Sequence, residues 1–149
     1  WRNDVFSAYC PDLLLGQCLT DVARTPDFVV CWTFSGRTSP YILQTYGGFR
    51  VTHEGETILT QRMLFSPTDL EPLTDANRRF DRDVVRLTSL LPVKIVSVKC
   101  SDTNDLTLCA ENHLRIEIFA DSLPGCEDWR FGPQDDVRLR AFTDHVHLK

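Results

Sequence analysis

Residues 99–109, KCSDTNDLTLC, place a short acidic, amide-bearing loop between two cysteines. That combination offers three chemistries: a metal clasp, an exposed binding tip or a staple. Calcium in a helix–loop–helix site needs oxygen ligands at alternate positions, a glycine at the sixth and a glutamate at the twelfth. Counted from Asp102, Asn104 fits, but Leu106 occupies the next ligand position and Thr107 the glycine position. Zinc would find two thiolates, with His113 four residues beyond Cys109, but no second close pair and no Cys-x-x-Cys. No metal is expected here. A disulfide across the loop is the simpler reading, and in the chain-entropy model closing a ring of this size contributes about 2.7 kcal/mol.

Other residues with chemical potential are scattered. His145 and His147 would face the same way on a strand, and His53 followed by Glu54 and Glu56 could add ligands. Two polar residues on a solvent-facing terminal strand account for the first pair more simply. The serines of GRTSP and DSLPG match no nucleophile elbow. The acid pairs Glu54/Glu56, Glu127/Asp128 and Asp135/Asp136 would serve glycoside hydrolysis only if a cleft separated them suitably, and acids in turns are usually solvated. YGGF lacks the Lys-Ser/Thr of a phosphate loop. No complete catalytic set emerges, and no cofactor is expected.

Two groups remain as candidate binding residues. Arg79, Arg82 and Arg86 fall three and four apart, on one helix face, where they could receive an acidic partner through forked hydrogen bonds. Interleaved acids such as Asp81 and Asp83 also allow an ordinary solvated face. Trp129, Arg130 and Phe131 combine residue types enriched at interface hot spots, in a segment broken by Gly125, Gly132 and Pro133. The alternative is that the two aromatics fold back over the core.

The elements that position these residues follow from periodicity. PDLLLGQCLTDVA spaces Leu15, Cys18, Leu19 and Val22 as a helix would, behind Pro11 at a first helical position. DFVVCWTF alternates, with Phe28, Val30, Trp32 and Phe34 on one face. HEGE predicts a tight turn around Glu54 and Gly55, placing Val51 opposite Ile58 and Phe49 opposite Thr60. Ser66 and Thr74 are candidate N-caps, and Phe80, Val84, Leu87 and Leu91 mark the buried face of an amphipathic helix over about 74–91, ended by Pro92. VKIVSVKC and HLRIEIF read as strands, PGCEDWRFGPQDD as a long loop held by Cys126, and VRLRAFTDHVHL as a closing strand or two. The fold class is therefore α+β: a mainly antiparallel β-sheet or small β-barrel of the OB type, with one amphipathic helix, in a single domain spanning 1–149.

Composition narrows the function. A hydrophobic content of 42% supports a packed core, and a net charge of −5 argues against nucleic acid as a partner. No apolar run approaches the ~18 residues of a membrane span. The chain starts at Trp1 without a signal-like segment, which is compatible with one already removed. Six cysteines, Cys10, Cys18, Cys31, Cys100, Cys109 and Cys126, are an even number and imply a disulfide framework in a secreted or extracellular setting. The leading expectation is a secreted, disulfide-stabilised domain that recognises another macromolecule, an extracellular protein. A small hydrolase with a His/carboxylate site and a small-ligand carrier with a barrel cavity are the alternatives.

Overall fold

The computed structural model describes residues 10–26, 29–60, 73–120 and 129–135. These residues form nine strands, β1 (Cys18–Arg24), β2 (Val30–Phe34), β3 (Tyr41–Thr45), β4 (Phe49–His53), β5 (Glu56–Thr60), β6 (Val93–Cys100), β7 (Leu106–Ala110), β8 (Leu114–Ile118) and β9 (Trp129–Pro133), with one α-helix, α1 (Leu73–Thr88). The strands form one sheet in the order β5-β4-β8-β7-β6-β1-β2-β3-β9. Every pairing is antiparallel.

The long strand β6 belongs to both halves of this sheet. Val93 and Lys94 pair with β1, while Ile95 to Cys100 pair with β7 across an irregularity between Ile95 and Ser97. An extra residue at such a point bends the strand and sharpens its twist, which lets the sheet fold over itself. Val96, at the bend, is left 50% exposed. The fold-over is visible in the core, where Trp32 of β2 meets Phe49 of β4 edge-on, with ring centroids 5.3 Å apart. Leu19, Leu43 and Phe131 from one half and Val51, Leu108 and Ile116 from the other complete the buried layer. The indole N–H of Trp32 donates to Thr45 Oγ1 at 3.1 Å, so the largest core ring carries no unpaired donor.

Helix α1 packs on β5 and β1 with Phe80 and Leu87 fully buried and Val84 and Leu91 at the margin of the core. The predicted apolar stripe is thus the packed one, although the helix itself ends at Thr88. The α+β class with antiparallel pairing stands. Of the two expected forms, the described residues show the sheet: its order runs from β5 to β9, and these two strands do not pair with each other among the described residues.

Three local expectations are corrected. The segment read as a helix before residue 23 is a short 3-10 turn, Pro11–Leu14, followed by β1. Gly16, at φ 84, separates them, and a bulge between Leu19 and Asp21 lets both Leu19 and Val22 face inward. Inward residues three apart imitate helical spacing. The hairpin at Glu54 and Gly55 forms, but a bulge after Val51 moves its partner from Ile58 to Leu59, so Ile58 and Leu59 are both buried. Residues 129–133, expected as loop, form strand β9 because each finds a partner on β3, from Tyr41↔Pro133 to Thr45↔Trp129. The expected N-cap Ser66, the side chain of Thr74, Phe28 and the closing strand lie outside the described residues.

The five described cysteines, Cys10, Cys18, Cys31, Cys100 and Cys109, are free thiols. The strand register explains the two nearby pairs. Cys109 sits opposite Ser97, three residues along β6 from Cys100, a separation of roughly 10 Å against the ~7 Å Cα limit for a disulfide. Cys31 sits opposite Ala23, five residues along β1 from Cys18. The staple across residues 100–109 is therefore replaced by a ladder of backbone hydrogen bonds. Cys126 lies outside the described residues.

Candidate functional site

The β6–β7 connection spans Ser101 to Asp105 and satisfies most of its own polar groups. Ser101 N–H donates to Asp105 O at 2.8 Å and Asn104 N–H to Ser101 O at 3.0 Å. Asp105 N–H donates to Ser101 Oγ at 2.9 Å. Asn104 adopts φ 69, a left-handed conformation that asparagine tolerates better than most side chains. Two bonds then tie the loop to distant chain. Asp105 Oδ1 accepts the N–H of Ala120 at 2.7 Å, just beyond β8. Asn104 O accepts the indole N–H of Trp129 at 2.8 Å, from the first residue of β9. Asp105 thus acts as a brace, with its carboxylate committed to a backbone donor. No group of three or more His, Cys, Asp or Glu capable of holding a metal occurs among the described residues.

Beside this braced loop opens a cleft of about 600 Å3, walled by Lys99, Cys100, Asp105, Thr107, Glu117 and Phe119. Its floor follows a cross-strand row on the outer face of the sheet, in which Lys99 is opposite Thr107 and Thr107 opposite Glu117; the row continues past the cleft to Arg50, opposite Glu117. Strand alternation produces the row, since Leu106, Leu108, Ile116 and Ile118 point into the core and the residues between them point out. Arg50 holds Glu117 through Nε at 3.1 Å and Nη2 at 3.0 and 3.1 Å to its two carboxylate oxygens. Arg115 approaches the same carboxylate at 3.8 Å. The Arg50 guanidinium also lies 5.8 Å over the Phe119 ring, and Phe119 N–H is anchored on Gly48 O at 2.9 Å. Glu117 is therefore a neutralised and oriented group, while the exposed Lys99 stands in no ion pair among the described residues. The cleft offers one ammonium, a threonine hydroxyl and an aromatic wall on a rigid base.

The residues singled out from the sequence fall in different places. Trp129 lies half-buried beside the cleft's loop, and Arg130 projects from the opposite face of β9, across from Gln44. Phe131 is 0% exposed and packs 5.6 Å from the Tyr41 ring, so it is a core residue rather than a contact residue. The helix arginines do not form an open cationic row. Arg82 binds Asp83 at 2.9 Å, Arg86 reaches Glu56 at 3.4 Å, and Arg79 is half-buried. Arg24 further claims Asp81 at 2.7 Å.

His53 and His113 are neighbours through the hydrogen bond from Glu54 N–H to His113 O at 3.1 Å. They sit where His53 pairs with Leu114, at the far end of β4 and β8 from Phe49↔Ile118 and the cleft. Neither lines it. His145, His147, Glu127, Asp128 and Asp136 lie outside the described residues. Cys31, packed between β1 and β3, has its thiol pushed up to about 11 by burial, against a lowering hydrogen bond with Gln44. Arg50, Thr107, Glu117 and Phe119 were not singled out from the sequence. Their outward positions were legible from alternation, but not which strands lie side by side.

No known family, curated protein or solved structure matches this chain. The functional reading rests on the site's chemistry.

Proposed function

We propose that this chain is a binding domain that recognises another protein through the cleft beside the β6–β7 loop, and that it works in an extracellular, oxidising setting. The observation that carries the reading is the cleft itself: about 600 Å3, with Lys99 and Phe119 both in its lining and Glu117 on its floor held by Arg50. Its volume falls within the range of roughly 300–1,000 Å3 that accepts a side chain or ligand. A preordered floor lowers the ordering cost of association. The ammonium of Lys99 suits a carboxylate on the partner, and the Phe119 ring suits an apolar group beside it. The even cysteine count supports the extracellular setting.

The test is photo-crosslinking from a reactive amino acid placed at position 107 on the cleft floor, compared with one at position 113 at the opposite end of the sheet. Exposed to secretions of the source cells, the first is expected to give a discrete adduct and the second none. Phe119→Ala should reduce that adduct at least tenfold, and so should Lys99→Glu, an exposed change that leaves the core intact. Equal labelling from both positions would contradict the reading.

A further inference from the structure

The chain ahead of β1 forms a strap that runs back along β6. Gly16 N–H donates to Ile95 O at 2.9 Å and Ile95 N–H to Gln17 O at 2.8 Å, which extends the β1–β6 pairing beyond Cys18↔Lys94. The 3-10 turn Pro11–Leu14 then lies against β6, with Pro11 and Leu14 buried. Four 3-10 residues at about 2 Å each, with an extended residue on either side, cover roughly 14 Å. The four steps of β6 from residue 96 to residue 100 cover roughly 13 Å at about 3.3 Å each. The two paths match in length, which brings Cys10 at the start of the strap toward Cys100 at the end of β6. Both cysteines are exposed. Independently, partial desolvation is the largest cause raising the Cys100 thiol above its ordinary value, and Cys10, with Asp12 and Asp105, is among the groups whose charge adds to that rise.

We propose that Cys10 and Cys100 form a disulfide on oxidation, fastening the strap to the end of β6. The thiols are unbonded in the structure. Cys10 is extended, at φ −85 and ψ 133, and precedes the first buried residue of the strap, so it can close the remaining gap while Pro11 and Leu14 stay packed. With glutathione disulfide as oxidant, one protein thiolate attacks a glutathione sulfur and expels a glutathione thiolate. The second protein thiolate then displaces the other glutathione from the mixed disulfide. The protein loses two protons and two electrons, and one glutathione disulfide becomes two glutathiones. Strand register keeps Cys109 from reaching Cys100 and Cys31 from reaching Cys18, as shown above. Cys100 also walls the cleft, so the bond would stiffen that wall, but its formation does not depend on the cleft having a partner.

The test uses the full chain, purified reduced, exposed to glutathione disulfide, alkylated and digested. Mass spectrometry should show a joined Cys10–Cys100 peptide pair and two fewer alkylated thiols. Cys10→Ser and Cys100→Ser should each abolish that pair, whereas Cys109→Ser should keep it. Because the bond encloses a long stretch of chain, oxidation should raise the melting temperature by roughly 5–15 °C in the wild type and in Cys109→Ser only. Six alkylated thiols after oxidation, or a bridge from either cysteine to a different partner, would overturn the proposal.

Discussion

The β4–β5 hairpin turns through Glu54 and Gly55, which take the left-handed conformation at φ 52 and 81, and both residues face solvent. The β6–β7 hairpin turns through Ser101 to Asp105 and is tied to Ala120 and Trp129, neither of which is near it in sequence. The first turn has an outside backbone bond of its own, Glu54 N–H to His113 O at 3.1 Å, which continues the β4–β8 pairing, and otherwise follows from its two residues and the strands they join. The second is held in place by bonds from the segment after β8 and from β9, so its shape depends on the tertiary fold. The cleft lies beside the second. A binding wall built from a loop needs such outside support, because a loop fixed only by its own backbone exchanges conformations more readily.

Substitutions can test that contrast, in order of expected effect. Asp105→Ala removes a charged acceptor from the partly buried Ala120 N–H and should destabilise by about 2–3 kcal/mol, read from urea unfolding, and loosen the cleft as well. Gly55→Ala should cost about 1–2 kcal/mol through backbone strain alone, since a Cβ there meets nothing within 4 Å. It should leave cleft labelling unchanged. Trp129→Phe keeps the ring but loses the bond to Asn104 O, at a cost of about 1 kcal/mol, and should weaken labelling at position 107 despite its smaller effect on stability. Glu54→Asn should stabilise by about 0.5 kcal/mol, because Asn-Gly suits this turn better than Glu-Gly. If Gly55→Ala altered the cleft as much as Trp129→Phe, the distinction between the hairpins would fail.

The same distinction separates what the sequence made legible from what it did not. HEGE announced its turn because glycine and a flanking alternation are local signals, and Phe80 and Leu87 marked the helix face for the same reason. Bulges escaped detection: one let Leu19 and Val22 imitate a helix, and another shifted Val51 from Ile58 to Leu59. Strand β9 was hidden because Gly132 and Pro133 signal a loop until β3 supplies the partner edge. The loop KCSDTNDLTLC was recognisable as important, but the roles of Asp105 and Asn104 lay with Ala120 and Trp129. The arginine that matters to the cleft, Arg50, lies on β4 and meets Glu117 of β8 only once the strands are neighbours. The helix arginines, conspicuous in sequence, meet Asp83 and Glu56 instead.

The cross-tied loop can be examined without knowing the partner, by following hydrogen exchange at the Ala120 amide and the Trp129 indole by NMR. Both protons should be protected in the wild type, and Asp105→Ala should speed exchange at Ala120 at least tenfold while the amides of β4 and β5 keep their protection. Unprotected protons at Ala120 and Trp129 in the wild type, with β4 and β5 protected, would contradict the account.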